Sequence, residues 1–440
     1  MAEPLRVGLA GLGTVGSAVA AMLIRSRAAL ADRVGRSIEL VAYASKDLPK
    51  DATLDLSKVR QLRDPIALAR DPAIDVFVEL MGGEGDPAKS AVEAALGLGR
   101  PVVTANKALL ARHGMALARL AEANNAQLSF EAAVAGGIPI VKTLREGLGG
   151  SRIARIYGIL NGTCNYILSR METEGLSFEE CLADAQRLGY AEADPTFDIG
   201  GFDTAHKLAI LTSLAFGTEV DADAVHVEGI ESISLADLEA ADELGYRVKL
   251  LGVAQRTDAG IEQRVHPTMV RQGTVIAGVD GVTNAVAIDA DTMELTLMGP
   301  GAGGNATSSA VVADLMDLAA GRRVPSFGRP AARLTKPQRA PMQRHEGGYY
   351  IRLAAVDRPG TAATIARRMA DENISLESIM QRGRDRRPHG GEDPKSVDKP
   401  AAVALITYAT SEDAVRRALA AIEKDGVLAE KPQLIRIEKS

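Results

Sequence analysis

Cysteine is scarce in this chain. Of 440 residues only Cys164 and Cys181 carry a thiol, no Cys-x-x-Cys occurs, and the six histidines do not fall at metal-ligand spacing. A disulfide framework and a zinc site are both poorly supported on that count. Basic runs interleaved with aromatics are missing too, aromatics are only 3% of the chain, and the formal net charge is −6. These lacks argue against nucleic acid and anionic membrane as main partners and leave small molecules. No apolar run is long enough to span a bilayer, and the first residues lack the basic and apolar regions of a signal peptide, so a cytoplasmic protein is expected. At this length two or three domains, each with its own core, are expected rather than one compact unit.

What is present begins with a short apolar run, 5–10, that ends in Gly11-Leu12-Gly13-Thr14-Val15-Gly16. After it Val15, Ala18, Val19, Met22 and Leu23 recur at helical spacing, which reads as strand, glycine turn and helix. The glycines allow a tight turn, close approach of backbone to a pyrophosphate, and tight helix-to-strand packing, with phosphates at the helix N-terminus. Gly11, Gly13, Thr14, Val15 and Gly16 are the candidate coenzyme contacts. The second strand, 38–44, ends in Ser45-Lys46-Asp47. A hydroxyl and a lysine there suit a 2′-phosphate and favour NADP, while Asp47 keeps open the acid that an NAD-type site places against the ribose. Further strands at 74–81, 101–104 and 127–130 and a helix at 87–98 fill out a Rossmann-type domain over 1–140. The strand at 101–104 delivers Lys107 to the C-terminal edge of the sheet, where ligands bind. Lys107 is either a solvent-facing first-turn lysine or a cation in the crevice near nicotinamide and substrate, a further candidate coenzyme contact; a first-turn cation opposes the helix dipole, which favours the crevice.

The small residues of Glu131-Ala132-Ala133-Val134-Ala135-Gly136-Gly137-Ile138-Pro139 let main chain approach a ligand or ion closely, and a helix at 140–148 leaves the first domain. A strand at 153–160 then runs into Asn161-Gly162-Thr163-Cys164-Asn165-Tyr166, a loop rich in amides and hydroxyls. Cys164 has no basic partner nearby and reads as packed, and Cys181 falls in an amphipathic helical pattern. The stretch 189–207 carries Glu192, Asp194, Asp198 and Asp203 into Lys207. If 202–216 is helical, Asp203 and Lys207 share one face, whereas His206 points elsewhere. Gly200 and Gly201 before this pair, and the turn at Asp194-Pro195, place the acids in an irregular loop that feeds a helix start.

Strands expected at 249–255, 263–267 and 285–298 give the second domain, 141–304, an α+β character with an open sheet. It ends in a second glycine-rich loop that includes Gly303 and is expected to face the coenzyme cleft, with the helix at 305–320 packing back on the first domain. Residues 321–347, rich in Pro, Arg and Gly, read as a linker. A third unit, 348–440, has the order βαββαβ of a ferredoxin-like module, with a mobile loop expected at 384–400.

Taken in order, Gly11 to Gly16, Val78-Glu79-Leu80-Met81-Gly82-Gly83, Thr104-Ala105-Asn106-Lys107, Glu131 to Pro139, Asn161 to Tyr166 and the stretch 189–207 closely resemble homoserine dehydrogenase, over about the first 320 residues. The segment Gly201-Phe202-Asp203-Thr204-Ala205-His206-Lys207 is the specific part; the glycine fingerprint is not. The resemblance implies interconversion of L-homoserine and L-aspartate 4-semialdehyde with NADP or NAD, within synthesis of threonine, methionine and isoleucine. It implies Lys207 as acid/base, Asp203 as its orienting anion and Lys107 as a second active-site lysine, with the lysine that moves the proton left open. Glu192, Asp198, Tyr190, Gly162 and Thr163 match substrate-contacting positions. A monovalent cation, usually sodium, is implied at Glu131, Val134, Gly136 and Ile138, held mainly by main-chain oxygens. The third unit resembles an ACT domain with Asp357, Pro359 and Gly360 in its ligand-binding turn, which implies feedback by threonine and a homodimer or homotetramer. With no aspartate kinase ahead of the first strand, the single-function form is expected. Two rivals stand beside this reading: a related dehydrogenase acting on another small aldehyde or alcohol, and a non-catalytic amino-acid sensor.

Overall fold

The computed structural model describes residues 3–46, 51, 53–381 and 400–438. Two sheets organise it. The first is built from β1 (Leu5–Ala10), β2 (Ile38–Ala44), β3 (Arg60–Leu62), β4 (Val76–Glu79), β5 (Val102–Thr104) and β6 (Leu128–Ser129), in the order β3-β2-β1-β4-β5-β6. Every neighbouring pair is parallel. The buried apolar runs of β1 and β4 suit strands covered on both faces. Between them run α1 (Thr14–Arg25), α2 (Arg27–Val34), α3 (Pro65–Arg70), α4 (Ala88–Gly97) and α5 (Lys107–Ala123). This is the doubly wound Rossmann-type arrangement, whose ligands lie at the C-terminal strand ends. Asp47, the possible NAD-type acid, lies outside the described residues.

The second unit contains α6 (Ile140–Lys142), β7 (Ile153–Ile159), α7 (Gly162–Glu174), α8 (Phe178–Arg187), α9 (Thr196–Ile199), α10 (Phe202–Phe216), β8 (His226–Val227), α11 (Leu235–Glu243), β9 (Tyr246–Thr257), β10 (Gly260–Arg271), β11 (Thr283–Ala290), β12 (Glu294–Pro300) and α12 (Gly304–Ala319). The helix expected at 140–148 is one α-turn that widens into a π-helical turn at Thr143–Gly147. The single strand expected at 285–298 is two, β11 and β12, paired antiparallel. The chain reverses where Ala290 N donates to the Met293 carbonyl at 2.9 Å and Asp291 accepts from Arg152 N at 3.0 Å. Helix α12 returns to the first unit, where Ala310, Val311 and Leu315 share a core with Val19, Ala20 and Leu23 of α1.

The third unit holds β13 (Glu346–Ala355), α13 (Thr361–Asp371), β14 (Leu376–Gln381), β15 (Ala401–Thr407), β16 (Thr410–Ser411), α14 (Glu412–Lys424) and β17 (Gln433–Ile437). Its strands run β17-β13-β15-β14, a ferredoxin-like order. The loop expected at 384–400 falls almost wholly outside the described residues. Sequence separates the second and third units, but in space one sheet of 11 strands crosses both, because β17 pairs parallel with β10 through Thr268–Arg436 and Met269–Ile437. Nor is 321–347 a loose tether. Phe327 is fully buried with its ring 4.9 Å from that of Phe130, and Gln127 Nε2 donates to the Val324 carbonyl at 2.8 Å.

Candidate active site

Helix α10 begins at Gly201, whose φ of +85° lets the chain turn sharply out of α9. Two residues on, Asp203 faces inward and is buried. One of its oxygens lies 2.7 Å from Lys207 Nζ and the other 2.9 Å from Lys107 Nζ. Lys207 sits one turn along the same helix and also donates to the Leu160 carbonyl, at the end of β7, at 2.6 Å. Lys107 comes from the other unit, at the first turn of α5 just beyond β5; its partner is an anion across the cleft, which offsets the unfavourable helix dipole. Asn161 completes the cluster. Its side-chain oxygen caps α7 by accepting from Cys164 N at 2.8 Å, and its amide donates to Asp198 at 2.8 Å and Asp203 at 3.0 Å.

Charge differs across this cluster. Burial acts to raise the Asp203 carboxyl, but Lys207 and Lys107 outweigh it and hold the group well below the usual carboxylate range. Asp203 lifts Lys107 above its ordinary value against the effect of burial. Burial lowers Lys207 despite Asp203. Burial, and then the neighbouring Asp203, push Asp198 up. The cluster thus pairs one firmly charged, partly exposed ammonium with one whose proton is easier to remove.

Around the cluster Thr163 donates to the Tyr190 carbonyl at 2.7 Å, and the Tyr190 ring, 43% exposed, meets Tyr166 edge-on at 5.2 Å. Gly162 lies so close to Val282 that a Cβ would come 2.7 Å from its carbonyl oxygen. Glu192 is exposed on the rim, and its charge reaches Lys107. Asp194 takes no part in the cluster; it accepts from Thr196 N at 3.1 Å and shapes the turn. The His206 ring meets the Phe197 ring edge-on at 5.3 Å, while Cys164 is buried with its thiol on the Asp198 carbonyl.

The nucleotide end lies at the other side of the cleft. A Cβ on Gly11 (φ +96°) would stand 2.6 Å from the Leu80 carbonyl oxygen, and one on Gly16 would overlap the Gly11 carbonyl, whereas Gly13 at the cap of α1 faces open space. Thr14 and Val15 open the helix, and the Thr14 carbonyl abuts Gly304, beside Gly303 at the cap of α12. Ser45 Oγ accepts from Leu12 N at 3.2 Å, which ties the end of β2 to the glycine turn, and Lys46 is exposed beside it. The cavity between α1 and α12, about 470 Å³, is lined by Thr14, Arg25 and Asn305.

Residues 11–131 match the family model described as homoserine dehydrogenase, NAD binding domain, and residues 139–316 match the model described as homoserine dehydrogenase. A curated homoserine dehydrogenase of Neisseria gonorrhoeae is 43% identical over 445 aligned positions that cover 99% of each chain. The chain belongs to the homoserine dehydrogenase family. The crystal structure of a homoserine dehydrogenase from Thiobacillus denitrificans superposes with a TM-score of 0.91 at 42% identity, covering 99% of each chain. A hyperthermophilic archaeal homoserine dehydrogenase solved in complex with NADPH superposes with a TM-score of 0.60 at 28% identity, over 71% of this chain and 97% of that one. An NAD(P)-binding domain is therefore present. Among the described residues no helix is long and apolar enough to cross a membrane.

Three buried polar residues at strand ends make contacts that were not legible. Asn161 reads from sequence only as part of a loop rich in amides and hydroxyls, and its role on Asp198 and Asp203 depends on a contact 37 to 42 positions away. Glu79 and Thr104, adjacent on β4 and β5, are buried and bonded at 2.6 Å, and Glu79 also accepts from Met81 N and Gly82 N. Burial pushes the Glu79 carboxyl up. An acid closing a strand rich in Val and Phe was the signal available.

Proposed function

We propose that this chain interconverts L-homoserine and L-aspartate 4-semialdehyde, and that Asp203 bridging Lys107 and Lys207 is the observation that carries the reading. A bound nicotinamide coenzyme supplies or accepts the hydride. In the reducing direction Lys207 Nζ gives its proton to the forming alkoxide, and in the oxidising direction the neutral amine takes one from the hydroxyl. Its lowered pKa, due to burial, suits a group that must both hold and release a proton. Lys107, raised by Asp203, keeps its charge and stabilises developing negative charge at the same oxygen. Asp198 and Glu192 supply the carboxylates that the substrate's ammonium group requires, and Tyr190, Gly162 and Thr163 shape the wall beside them. We assign 1–140 with 305–320 to the coenzyme, 141–304 to the substrate and to subunit pairing, and 348–440 to regulation.

NADP is the preferred coenzyme in this reading. Support comes from Lys46, exposed at the end of β2, and from the archaeal relative bound to NADPH. A monovalent cation fits the main chain at Glu131, Val134, Gly136 and Ile138. Ala135 and Gly136 both have positive φ (55° and 47°), which reverses the chain there. Among the described residues no main-chain hydrogen bond reaches the Val134 and Gly136 carbonyls. Glu131 spends both carboxylate oxygens on Val141 N and Lys142 N, and burial, then Asp314, raise it to about 7. A bound cation would supply charge compensation to these buried acids.

Threonine is the proposed effector, at a cavity of about 200 Å³ lined by Asp357, Arg358, Gly360, Thr361 and Ile365 beside the turn that carries Pro359. A homodimer or homotetramer is expected. The test is oxidation of NADPH and of NADH with L-aspartate 4-semialdehyde, each with and without threonine. Turnover establishes the reaction and ranks the coenzymes; no turnover in folded protein removes the reading in favour of the sensor or another dehydrogenase.

A further inference from the structure

Outside the active site, buried charge concentrates where β10 meets β17. Arg436, on β17 and 2% exposed, spends its guanidinium on two carboxylates. It donates from Nη1 and Nη2 to Glu228 at 2.7 and 3.0 Å, and from Nε and Nη2 to Glu412 at 2.8 Å each. A carboxylate gripped bidentately by a buried arginine is fixed in direction as well as position. Glu228 follows β8, and its own N–H donates to the Val265 carbonyl at 2.8 Å. From there 228–230 runs against the loop that carries the substrate acids. Ile230 N donates to the Ile199 carbonyl at 2.9 Å, and a Cβ on Gly229 would stand 2.5 Å from that oxygen and 2.8 Å from Gly200 Cα. Gly201 is covered from the same segment by the Val227 side chain and the Glu228 carbonyl. Asp198 precedes this contact and Asp203 follows it within one turn of chain.

We infer that Arg436 is a positioning residue for the substrate site: through Glu228 it presses 228–230 against 199–201 and so sets the separation of Asp198 from Asp203. The inference rests on the activity proposed above for its kinetic meaning, but not for its structural one. Glu412 provides the internal control. It shares the same guanidinium, yet its remaining bonds run to Arg416 and the His345 carbonyl, and none reaches 196–203.

The experiment compares Glu228→Gln with Glu412→Gln in the full chain; each keeps side-chain shape and removes one negative charge from Arg436. Two quantities are read: amide hydrogen exchange over 196–207, and KM for L-aspartate 4-semialdehyde against KM for NADPH. For Glu228→Gln exchange over 196–207 accelerates and the substrate KM rises, each about fivefold or more, with the NADPH KM unchanged, as a modest coupling implies. Glu412→Gln leaves both near wild type. Equal effects from the two variants, or none from Glu228→Gln, overturn the inference. Should Glu228→Gln not fold, Gly229→Ala forces the same contact directly, and unchanged exchange over 196–207 in that variant also overturns it. Exchange needs no substrate, so exchange as expected in protein without turnover contradicts the activity and leaves the positioning role standing.

Discussion

Lys207 Nζ lies 2.7 Å from Asp203 Oδ2, one turn apart on α10, and both side chains are buried. A buried ion pair of this kind is costly unless its remaining hydrogen-bonding capacity is met. Here Leu160 and Asn161, neighbours on the connection from β7 to α7, and Lys107 on α5 meet it. Only Lys107 reaches the pair from the first unit.

Replacing Asp203 by Asn leaves two ammonium groups facing each other without their anion. Breaking a buried pair this way costs about 3–5 kcal/mol, so a clear fall in Tm is expected. The pH profile moves as well. Lys207 is already below its ordinary pKa, and Asp203 is the largest influence holding its proton on. Without it the pKa falls further, so aldehyde reduction, which needs the ammonium form, is lost at lower pH than in wild type. A pH–rate profile in the reducing direction reads this, and an unmoved alkaline limb would separate Lys207 from the proton transfer.

Lys46→Glu places an anion where the 2′-phosphate is expected. The NADPH KM should rise about tenfold or more, since a charge-assisted contact becomes a repulsion, while the NADH KM stays nearly constant. Parallel changes in both would mean that Lys46 does not read the phosphate.

His266 is buried at the β10–β17 junction, where Nε2 accepts from Arg264 Nε at 3.0 Å. Burial, followed by the nearby Arg436 and Arg264, pushes its pKa well below the usual value for histidine. The folded state thus binds fewer protons than the unfolded one, and stability present above about pH 6.5, the ordinary value of the free side chain, is lost as pH falls below it. His266→Gln should flatten the decline of Tm between neutral and mildly acidic pH. A decline of the same steepness would assign it to other groups.

Removing residues 345–440 is the obvious test of threonine regulation, and the structure argues against it. Truncation takes β17 out of the central sheet and strips Glu438 from the buried Arg264 and Arg436 from Glu228. Asp357→Ala, at the rim of the cavity in the third unit, leaves that seam intact. It should abolish threonine inhibition with little change in uninhibited turnover; retained inhibition would place the effector elsewhere.

Much of this was legible locally. Gly11 to Gly16 and the apolar β1 announce a nucleotide fold because a tight turn and a doubly covered strand each demand particular residues. Asp203 and Lys207 are readable as partners because helix geometry places residues four apart on one face. What escaped depends on distant chain. Lys107 meets Asp203 across 96 positions, and nothing near either residue encodes the other. The turn at Asp291 was hidden because β11 and β12 are both β-forming and the break between them contains neither Gly nor Pro. The merging of two units into one sheet was invisible for the same reason: β17 resembles any closing strand, and its second neighbour, β10, lies far upstream.

The most direct measurement is NADPH oxidation with L-aspartate 4-semialdehyde by the wild-type chain and by Lys207→Ala, with folding and NADPH binding checked in both. Turnover is expected in wild type and a loss of about 10²–10⁴-fold in the variant, the usual contribution of a positioned acid/base, with NADPH binding intact. Near-normal turnover in a folded Lys207→Ala protein would contradict that role.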